Sequence, residues 1–568
     1  MEKKWQIMPK ITDDFIKKFP EISPVILQLL YNRSLTNQEL IDEFLFPDYS
    51  QDLHDPFLFN DMKKAVARIK KAVKEKEKIV IHGDYDADGV CATTVLYSTL
   101  KKMGVENLEI YLPHREKEGY GLNFKTIDFF KKEKINLIIT CDCGISNYDE
   151  IAQANQYSIE TIITDHHHQP KKIPEATAII NPNLKNENYP FKQLAGVGVA
   201  FKLAQALIKE FNISDQEAFE KWLLDLVAIG TVADISPLIG ENRTLVKYGL
   251  VVLSKTKRLG LQKLFEVAAI NLEKLNTYTI GYQISPRINS AGRVDHANSA
   301  FKLLSTNNLE EAIIIASELN KNNQERQKLT DQITEEAKKI IQPEISKEKI
   351  FFAANENWNS GIIGLVAGKI CQEYHRPVFI FSIIADNYLG SGRSIPEFNI
   401  IEAVESQAKL LERFGGHSGA CGLTVKKENY DKFSSKLKTL AEEKLTGIEL
   451  IPTLHIDLEL EINDLNWSIV EELEKFEPFG DFNPRPKFLT KNLIVNEVNF
   501  VGNNNQHLKI KVNDKNGLSK KVIIFNCEDI CPYLQVNDKI DLVYELIISQ
   551  WNGNKEIELN AIDLKKSQ

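Results

Sequence analysis

The stretch Ile79-Val80-Ile81-His82-Gly83-Asp84-Tyr85-Asp86-Ala87-Asp88-Gly89 decides the fold. Its β-branched start is typical of a short buried strand, and its polar end is typical of a turn rich in metal ligands. Alternate side chains on an extended segment point the same way, so we expect the imidazole and the three carboxylates to converge. Such a cluster favours a bound cation. The alternative is an acidic, glycine-containing turn that is merely solvated.

Two further strand-like runs also end in candidate ligands. Leu137-Ile138-Ile139-Thr140 precedes Asp142, and Thr161-Ile162-Ile163-Thr164 precedes Asp165-His166-His167-His168. Three runs of this kind, each followed by carboxylates or imidazoles, make a merely solvated turn a weaker explanation.

The segments between these runs predict a parallel sheet. Ala92 to Met103 has the pattern of a helix, and Leu108 to Leu112 that of a strand. Repetition of strand, helix and strand is typical of a doubly wound α/β domain. Ligands bind such sheets outside the carboxyl ends of the strands, where all three clusters are expected to lie.

A fourth candidate ligand is Asp234, the one carboxylate in the apolar stretch Leu226 to Pro237. By itself it would be an ordinary helix-end residue. Together with the others it supplies enough oxygen and nitrogen ligands for two divalent ions about 3.5–4 Å apart, the arrangement used for phosphoester hydrolysis. The predicted metal ligands are His82, Asp86, Asp88, Asp142, His166 and Asp234.

The order of these motifs resembles the DHH phosphoesterase superfamily and, within it, the RecJ family of single-strand-specific exonucleases. The resemblance extends over nearly the whole chain. Further motifs that carry it are Asp55–Phe57, Glu118–Asn123, Gly196–Ala200, Pro286–Arg293, Leu319–Gln327, Gly361–Gly364, Gly392–Ser394 and Gly415–Gly422.

The resemblance implies an exonuclease that degrades single-stranded DNA from 5′ to 3′, releases 5′-mononucleotides and acts in recombination and repair. It also implies a single-strand-binding protein and a helicase as partners. One alternative is a DHH phosphodiesterase of short oligonucleotides or cyclic dinucleotides, but the long connector and added barrel fit a polymer better. The other is a non-catalytic nucleic-acid-binding scaffold, which should have lost ligands that this chain retains.

Composition is typical of a large globular enzyme. The chain has 568 residues, is 43% hydrophobic and 26% charged, and should divide into about three or four domains. It lacks a membrane-spanning apolar run and a signal-peptide pattern, which predicts a cytoplasmic protein with no membrane contact. Its seven cysteines are expected to be reduced. The net charge of −9 is only a weak objection to DNA binding, since affinity for a phosphate chain depends on a local groove.

Pattern changes predict a doubly wound α/β domain, a second α/β domain joined by a long helix, and a C-terminal β-barrel. The family resemblance implies that these are a DHH domain, a DHH-associated domain and an OB-like domain. The connector is expected to contain one helix from Leu309 to Ile341, stopped by Pro343. The predicted segments are an N-terminal extension (1–50), the DHH metal-binding domain (51–250), the helical connector (251–345), the DHH-associated substrate-binding domain (346–450) and the OB-like nucleic-acid-binding domain (451–568).

Candidate substrate-binding residues lie in the second domain. Ser391, Arg393 and Ser394 combine hydroxyls and a guanidinium with glycines that allow close approach, which suits a phosphate as well as it suits an ordinary hairpin. Gly416 and His417 belong to a run of small residues against which a strand could lie. Cys421 stands where the family commonly has alanine, a small apolar change that we expect to be tolerated.

The connector supplies a second group of candidates. Helical spacing allows several of its polar residues to share one face, although a solvated face explains the spacing equally well. The family resemblance implies that they line the nucleic-acid channel. They are Arg287, Asn289, Arg293, Asn320, Asn323, Arg326 and Gln327.

In the C-terminal barrel, Phe479, Phe482 and Trp551 are possible base-stacking platforms, but most aromatics in a small barrel are structural.

The expected chemistry is hydrolysis of a phosphodiester by a water deprotonated between two Mn²⁺ or Mg²⁺ ions. Asp142 is the expected bridging ligand, with Asp86 and His82 completing one site and Asp88, His166 and Asp234 the other. His167 is the candidate to stabilise the phosphate in the transition state. Asp84 and Asp165 are expected to orient the imidazoles, and Asp84 remains open as a direct ligand.

Overall fold

The computed structural model describes residues 3–567 except 116, 212–214, 295–296, 503–505, 528–533 and 552, and the side chains of residues 293, 294 and 551 also lie outside the description. The chain forms two compact units. One comprises the N-terminal segment up to Pro47 and the C-terminal segment from Glu449, and the other runs from Asp48 to Ile448.

The described residues of the N-terminal segment, 3–47, contribute one strand and three helices to the first unit. Ser23 caps the second helix through its hydroxyl, and Pro24 occupies the first turn, where its missing N–H is harmless. The buried face of this helix, with Leu27, Leu29 and Leu30, belongs to the same core as the C-terminal barrel. The elements are β1 (Lys4–Ile7), α1 (Asp13–Lys18), α2 (Pro24–Asn32) and α3 (Gln38–Leu45).

The second unit begins with a parallel sheet flanked by helices, as the sequence predicts. Its strand order is β3-β2-β4-β5-β6, so the order reverses between β2 and β4, and the carboxyl ends of these two strands flank a topological switch point. The elements are α4 (Met62–Lys74), β2 (Ile79–His82), α5 (Ala87–Lys102), β3 (Leu108–Tyr111), α6 (Phe124–Lys132), β4 (Leu137–Cys141), α7 (Tyr148–Gln156), β5 (Glu160–Thr164) and β6 (Ala178–Ile180).

Helix α5 begins five residues earlier than predicted, at Ala87 rather than Ala92. The reason is a cap: Asp86 Oδ1 accepts a hydrogen bond from the backbone N–H of Gly89 at 3.0 Å. The expectation that the whole stretch from His82 to Asp88 is extended is therefore wrong. The strand ends at His82, Asp84 lies in the turn, and Asp88 lies in the first helical turn.

A helical region follows the sheet. Its last helix, α16, spans the predicted residues Leu309 to Ile341, and a 3-10 turn containing Pro343 follows it. A π-helical segment, Ile280–Ile284, joins α13 to α14. The helices are α8 (Gly196–Glu210), α9 (Gln216–Trp222), α10 (Leu224–Ala233), α11 (Gly240–Leu253), α12 (Leu259–Val267), α13 (Thr277–Thr279), α14 (Ser285–Val294), α15 (Asn298–Ser305) and α16 (Leu309–Ile341).

A second sheet completes this unit. Its strand order is β10-β11-β9-β8-β7, with β7 and β8 parallel and the remaining neighbours antiparallel. This mixed α/β domain is the one predicted after the connector. Its elements are β7 (Phe351–Asn355), α17 (Ile363–Tyr374), β8 (Val378–Ile384), β9 (Asn387–Arg393), α18 (Ile400–Glu405), β10 (Leu411–His417), β11 (Ala420–Lys426) and α19 (Lys427–Leu445).

The C-terminal segment forms the predicted barrel. The strands run β14-β15-β16-β18-β17, and β17 pairs with β14 to close the ring, which is the strand connectivity of an OB fold. The alternating pattern of Leu454–Leu460 predicts one strand, but this segment forms two short strands; the first pairs in parallel with β1 and the second with β14. The elements are β12 (Thr453–Ile456), β13 (Leu458–Glu459), α20 (Trp467–Glu474), β14 (Phe488–Val501), β15 (His507–Asn513), β16 (Ser519–Ile524), β17 (Lys539–Trp551) and β18 (Asn554–Lys566).

Candidate active site

The carboxyl ends of β2, β4 and β5 bring the predicted ligands together. Asp84 and Asp86 follow β2, Asp142 follows β4, and His166 with His167 follows β5. Because the three strands are parallel neighbours, these side chains meet at one edge of the sheet. Asp142 adopts a left-handed backbone conformation, φ +59°, which aspartate tolerates better than most residues.

Among the residues that the structure describes, three overlapping groups of ligand atoms result, and the atoms of each group lie within 4.8 Å of one another. Asp84, Asp86 and Asp142 form one group. The second is Asp88, His166 and Asp234, and the third is Asp142, His166 and His167. His166 links the groups, with Nε2 3.1 Å from Asp142 Oδ1 and Nδ1 3.9 Å from Asp234 Oδ2.

Asp88 reaches this centre from helix α5 and is anchored by the first turn of α8. Its two carboxylate oxygens accept hydrogen bonds from the backbone N–H groups of Gly196, at 2.8 Å, and Val197, at 2.9 Å. A helix N-terminus carries a partial positive charge and unpaired N–H groups, so it favours a carboxylate there. Each oxygen keeps a second lone pair for a cation.

His167 is held by two neighbours. Its Nδ1 lies 2.7 Å from Asp165 Oδ1 and 3.0 Å from the hydroxyl oxygen of Tyr120, and this hydroxyl donates its hydrogen to the carbonyl of Asp142 at 2.9 Å. The fully buried Asp165 additionally accepts from the backbone N–H groups of Ile145, His166 and His167. These hydrogen bonds outweigh the effect of burial and lower the pKa of Asp165. The carboxylate that orients His167 is thus itself fixed.

His82 lies apart from the three groups. Its ring stacks on Tyr111 with centroids 5.4 Å apart, and its Nδ1 is 3.7 Å from the sulfur of Cys143. Burial lowers the pKa of His82 to about 4, which keeps the imidazole neutral. Its Nε2 is buried and has no hydrogen-bond partner among the described residues.

The electrostatics of the centre fit bound cations. Burial and neighbouring carboxylates raise the pKa values of Asp84, Asp88 and Asp142 well above the usual value for aspartate. In the described parts of the chain, Oδ1 of Asp84 is buried without a hydrogen-bond partner, and the buried Oδ1 of Asp142 has the 3.1 Å contact with His166 Nε2 but no hydrogen bond of favourable geometry. Buried carboxylates that are not neutralised are strongly unfavourable, and oxygen-rich sets with one imidazole suit Mg²⁺ or Mn²⁺. The donor set therefore fits divalent metal ions.

A cavity of about 550 Å³ lies beside this centre, within the same unit. The second sheet contributes Ser391 and Arg393, and Arg393 donates to Ser391 Oγ at 3.1 Å and to the carbonyl of Gly392 at 2.8 Å. The segments that follow β2 and β3 contribute Tyr85, Arg115 and Tyr120 to the lining. Three guanidiniums, the third from Arg413, make this cavity suitable for an anion.

The connector residues form a second polar group where α14 packs on α16. Arg287 Nε donates to Asn320 Oδ1 at 3.0 Å, and Arg326 Nη2 donates to Asn323 Oδ1 at 3.0 Å. Burial, together with the neighbouring Arg326, lowers the pKa of Arg287. On the same helix Asn289 Oδ1 accepts from the backbone N–H of Ala87 at 2.7 Å, which ties α14 to the metal-binding turn.

Several predicted residues lie elsewhere. The hydroxyl of Ser394 is used within its own domain, donating to the carbonyl of Phe398 at 2.6 Å. Gly416 and His417 lie at the exposed end of β10, and Gln327 is exposed on α16. Phe482 is 66% exposed at φ +58°, whereas Phe479 is half-buried under Arg485. The side chains of Arg293 and Trp551 lie outside the described residues.

Comparison with known proteins assigns the domains. Residues 78–231 match the DHH family N-terminal domain, residues 347–443 the DHHA1 domain and residues 456–563 the RecJ OB domain. The single-stranded-DNA-specific exonuclease RecJ of Bacillus subtilis is 36% identical over 100% of this chain and 71% of that protein. The chain belongs to the RecJ family.

Other members of the RecJ family are similar to this chain in sequence and in structure. The exonuclease RecJ of Haemophilus influenzae is 32% identical over 94% of this chain and 95% of that protein. The crystal structure of RecJ from Thermus thermophilus in complex with Mn²⁺ superposes with a TM-score of 0.85 at 26% identity, covering 100% of this chain and 80% of that one. A second structure from the same organism contains Mg²⁺. The DHH, DHH-associated and OB domains are confirmed, and divalent metal use is supported.

Some residues of the site were not assigned from the sequence. Tyr120 and Gly196 lie in family motifs but carried no assigned role, and Arg115 and Arg413 gave no local signal. All four are placed by non-local packing. In the described parts of the chain, no helix combines the length and apolarity that crossing a membrane requires.

Proposed function

We propose that this chain degrades single-stranded DNA from its 5′ end and releases 5′-mononucleotides. The observation that carries this proposal is the group of carboxylates and imidazoles at the switch point of the sheet, beside a cavity lined by three guanidiniums. Named members of the RecJ family are single-stranded-DNA-specific exonucleases. We infer a role in DNA recombination and repair from the same membership.

We assign two divalent ions to the centre. Asp84, Asp86 and Asp142 would hold one, and Asp88, His166 and Asp234 the other, with Asp142 near both. When bound, the ions supply Lewis-acid polarisation of the phosphodiester and a water nucleophile of lowered pKa. His82 stays a candidate ligand through its unsatisfied Nε2 and would reach the first group by a change of ring position.

His167 is the proposed group that stabilises charge on the phosphate. The short contact between Nδ1 and Asp165 favours a proton on Nδ1, which leaves Nε2 for the reacting phosphate or its leaving oxygen. The hydroxyl of Tyr120 contacts the same nitrogen and further limits rotation of the ring. Asp165 would then act through His167 rather than on the substrate.

The strand is proposed to enter along the two basic groups. Ser391 and Arg393, with Arg115 and Arg413, would bind a phosphate of the strand in the cavity. Arg287, Asn289 and Arg326 would bind further phosphates where α14 packs on α16. Asn323 is buried and would act by holding Arg326, so its prediction as a direct contact is corrected. The OB barrel is proposed to hold a more distant part of the strand, because OB folds combine aromatic platforms with basic grooves. Arg293, Gln327, Ser394, Gly416 and His417 remain proposed contacts.

The cellular context is also a proposal. A repair exonuclease would act in the cytoplasm together with a single-strand-binding protein and a helicase, which exposes the strand. We also propose a function for each segment predicted from the sequence. Residues 51–250 would bind the metal ions, 251–345 would connect the domains, 346–450 would bind the substrate and 451–568 would bind a single strand as an OB fold does.

The test uses a single-stranded DNA oligonucleotide with different dyes at its two ends, incubated with the full chain and Mn²⁺. Early release of the 5′ dye as mononucleotide is expected. Asp142→Asn should abolish release, because it removes the carboxylate near both ion sites without changing its shape. Asp14→Asn, at an exposed position in α1, is the matched control and should cleave normally.

Two other outcomes would favour a different function, and a third would change only the polarity of the exonuclease. Cleavage of dinucleotides with an intact long strand would favour the small-substrate phosphodiesterase. Binding of the strand without cleavage of either substrate would favour the non-catalytic scaffold. Release of the 3′ dye first would retain the nuclease and overturn the polarity.

A further inference from the structure

Two tyrosines outside the predicted substrate groups form an exposed aromatic pair. Tyr278 on α13 and Tyr282 in the π-helical segment are 62% and 67% exposed. Their rings stack, with centroids 4.5 Å apart and planes inclined by 25°. Rings of this size are usually buried, and neighbouring exposed rings therefore indicate a binding surface.

The pair lies beside the helix that presents Asp234. Gly281, between the two tyrosines, packs against α10 so that a Cβ at this position would lie 3.9 Å from Val232 Cγ1. Helix α10 ends one residue later, at Ala233, and Asp234 follows directly. The segment that carries the two tyrosines therefore packs on α10 two residues before Asp234.

Ile235, the residue after Asp234, is an exposed apolar side chain at the same end of α10. It is 71% exposed and has φ +59°, a left-handed conformation that β-branched residues rarely adopt. The backbone closes the helix there, with N–H of Ile235 bonded to the carbonyl of Val232 and N–H of Ser236 to that of Thr231. Glycine or asparagine is the favourable residue at such a helix end. Folding stability therefore does not explain an exposed isoleucine at this position.

A cationic side chain contacts the π-helical segment that carries Tyr282. Arg287 Nη1 donates to the carbonyl of Gln283, next to Tyr282, at 2.5 Å, and Arg287 Nε is held by Asn320. Aromatic faces beside a guanidinium are the combination that binds single-stranded nucleic acids, since bases stack on the rings while the cation attracts the phosphates.

We propose that Tyr278, Tyr282 and Ile235 form a base-contacting platform that positions the single strand beside the metal centre. This inference rests on the proposed function and deepens it. An unpaired base stacks on the exposed ring face of the tyrosine pair, and Ile235 packs against the neighbouring nucleotide. A duplex keeps its bases stacked on each other and gives the platform nothing to bind, so the platform favours single strands.

The experiment compares two 5′-phosphorylated strands of equal length, one normal and one in which an internal run of nucleotides is abasic. The wild-type chain with Mn²⁺ should show a KM roughly ten- to a hundredfold higher on the abasic strand, the range expected when one base–aromatic stack is lost. A variant with both Tyr278→Ala and Tyr282→Ala should have the raised KM on both strands and no longer discriminate. kcat should change less than KM.

Matched variants separate the platform from a structural role. The double Tyr→Phe variant keeps both rings and should retain wild-type discrimination. Ile235→Ala should raise KM on the normal strand, whereas Ile384→Ala, at an exposed position at the end of β8, should not. Wild-type discrimination that persists in the double alanine variant would overturn the inference. Absence of any cleavage by the wild-type chain would instead overturn the proposed function.

Discussion

Gly196 contacts two carboxylates of the candidate metal centre. Its backbone N–H donates to Asp88 Oδ2 at 2.8 Å, and a Cβ at this position would lie 2.5 Å from Asp142 Oδ1. Real Cβ atoms do not approach an oxygen so closely. The first residue of α8 must therefore be glycine for Asp88 and Asp142 to share one site.

Gly196→Ala is predicted to remove most of the nuclease activity while the fold is retained. The added methyl group displaces the Asp142 carboxylate, and a displacement of about 1 Å at a reacting centre can lower the rate about a hundredfold. kcat on single-stranded DNA with Mn²⁺ is the measurement. Circular dichroism should show an unchanged helix content.

Gly368→Ala is the matched control, because a Cβ at this α17 position has nothing within 4 Å. This variant should be fully active and more stable by about 0.5–1 kcal/mol, since alanine is the better helix former. Equal loss of kcat in both variants would contradict the steric argument.

The sequence predicted the sheet, the long helix and the barrel because their signals are local. Short β-branched runs identify β2, β4 and β5, and a sustained helical period identifies Leu309–Ile341. The pairing of β1 with β12 could not be predicted, since residues 4–7 and 453–456 are far apart in sequence and neither segment specifies its partner. The N-terminal segment therefore looked like a separate extension, although it packs in one core with the barrel.

The metal ligands were predicted as a set, but not their arrangement. An extended segment was expected from His82 to Asp88, and the Asp86 cap replaces its second half with helix. This change points Asp88 towards the N-terminus of α8 and leaves His82 buried against Tyr111. Tyr120 was missed as a contact of His167 because its role depends on a hydrogen bond between residues 47 positions apart.

Two thiols of the second α/β domain, Cys421 in β11 and Cys371 in α17, are predicted to be unreactive in the folded protein. Burial raises the pKa of Cys421 to about 12 and that of Cys371 to about 11. Because the thiolate is the nucleophile, both residues should be protonated at pH 8 and resist alkylation by iodoacetamide. Mass spectrometry should find them modified only after unfolding in guanidinium. Rapid modification of folded protein at pH 8 would contradict the predicted pKa values.

Arg393→Lys is predicted to raise KM for single-stranded DNA about tenfold and to change kcat much less. Lysine keeps the charge but loses the planar fork, which Ser391 Oγ and the carbonyl of Gly392 hold in place at the cavity. Steady-state kinetics on one oligonucleotide measure both constants. Arg376→Lys is the control, because Arg376 bonds the carbonyls of Tyr374 and His375 and does not line the cavity. A similar rise in KM for Arg376→Lys would contradict the prediction, because any arginine replaced by lysine would then have the same effect.

Manganese binding should distinguish Asp84 from His82 as a ligand of the first ion. Asp84 is within 4.8 Å of Asp86 and Asp142, whereas His82 is in none of the three ligand groups. A cation that binds only the folded chain at 100 times its Kd adds about 2.7 kcal/mol to the free energy of unfolding, so Mn²⁺ should raise Tm. Asp84→Asn and Asp142→Asn should each lose most of this rise, and His82→Gln should keep more of it.

In the metal-free state, Asp142→Asn should raise Tm, because burial and the neighbouring Asp86 and Asp84 disfavour the ionised form of this carboxyl group. Comparing Tm with and without Mn²⁺ for each variant separates ligand loss from lost packing. If His82→Gln abolishes the Mn²⁺-dependent rise while Asp84→Asn keeps it, His82 is the ligand and Asp84 the residue that orients it.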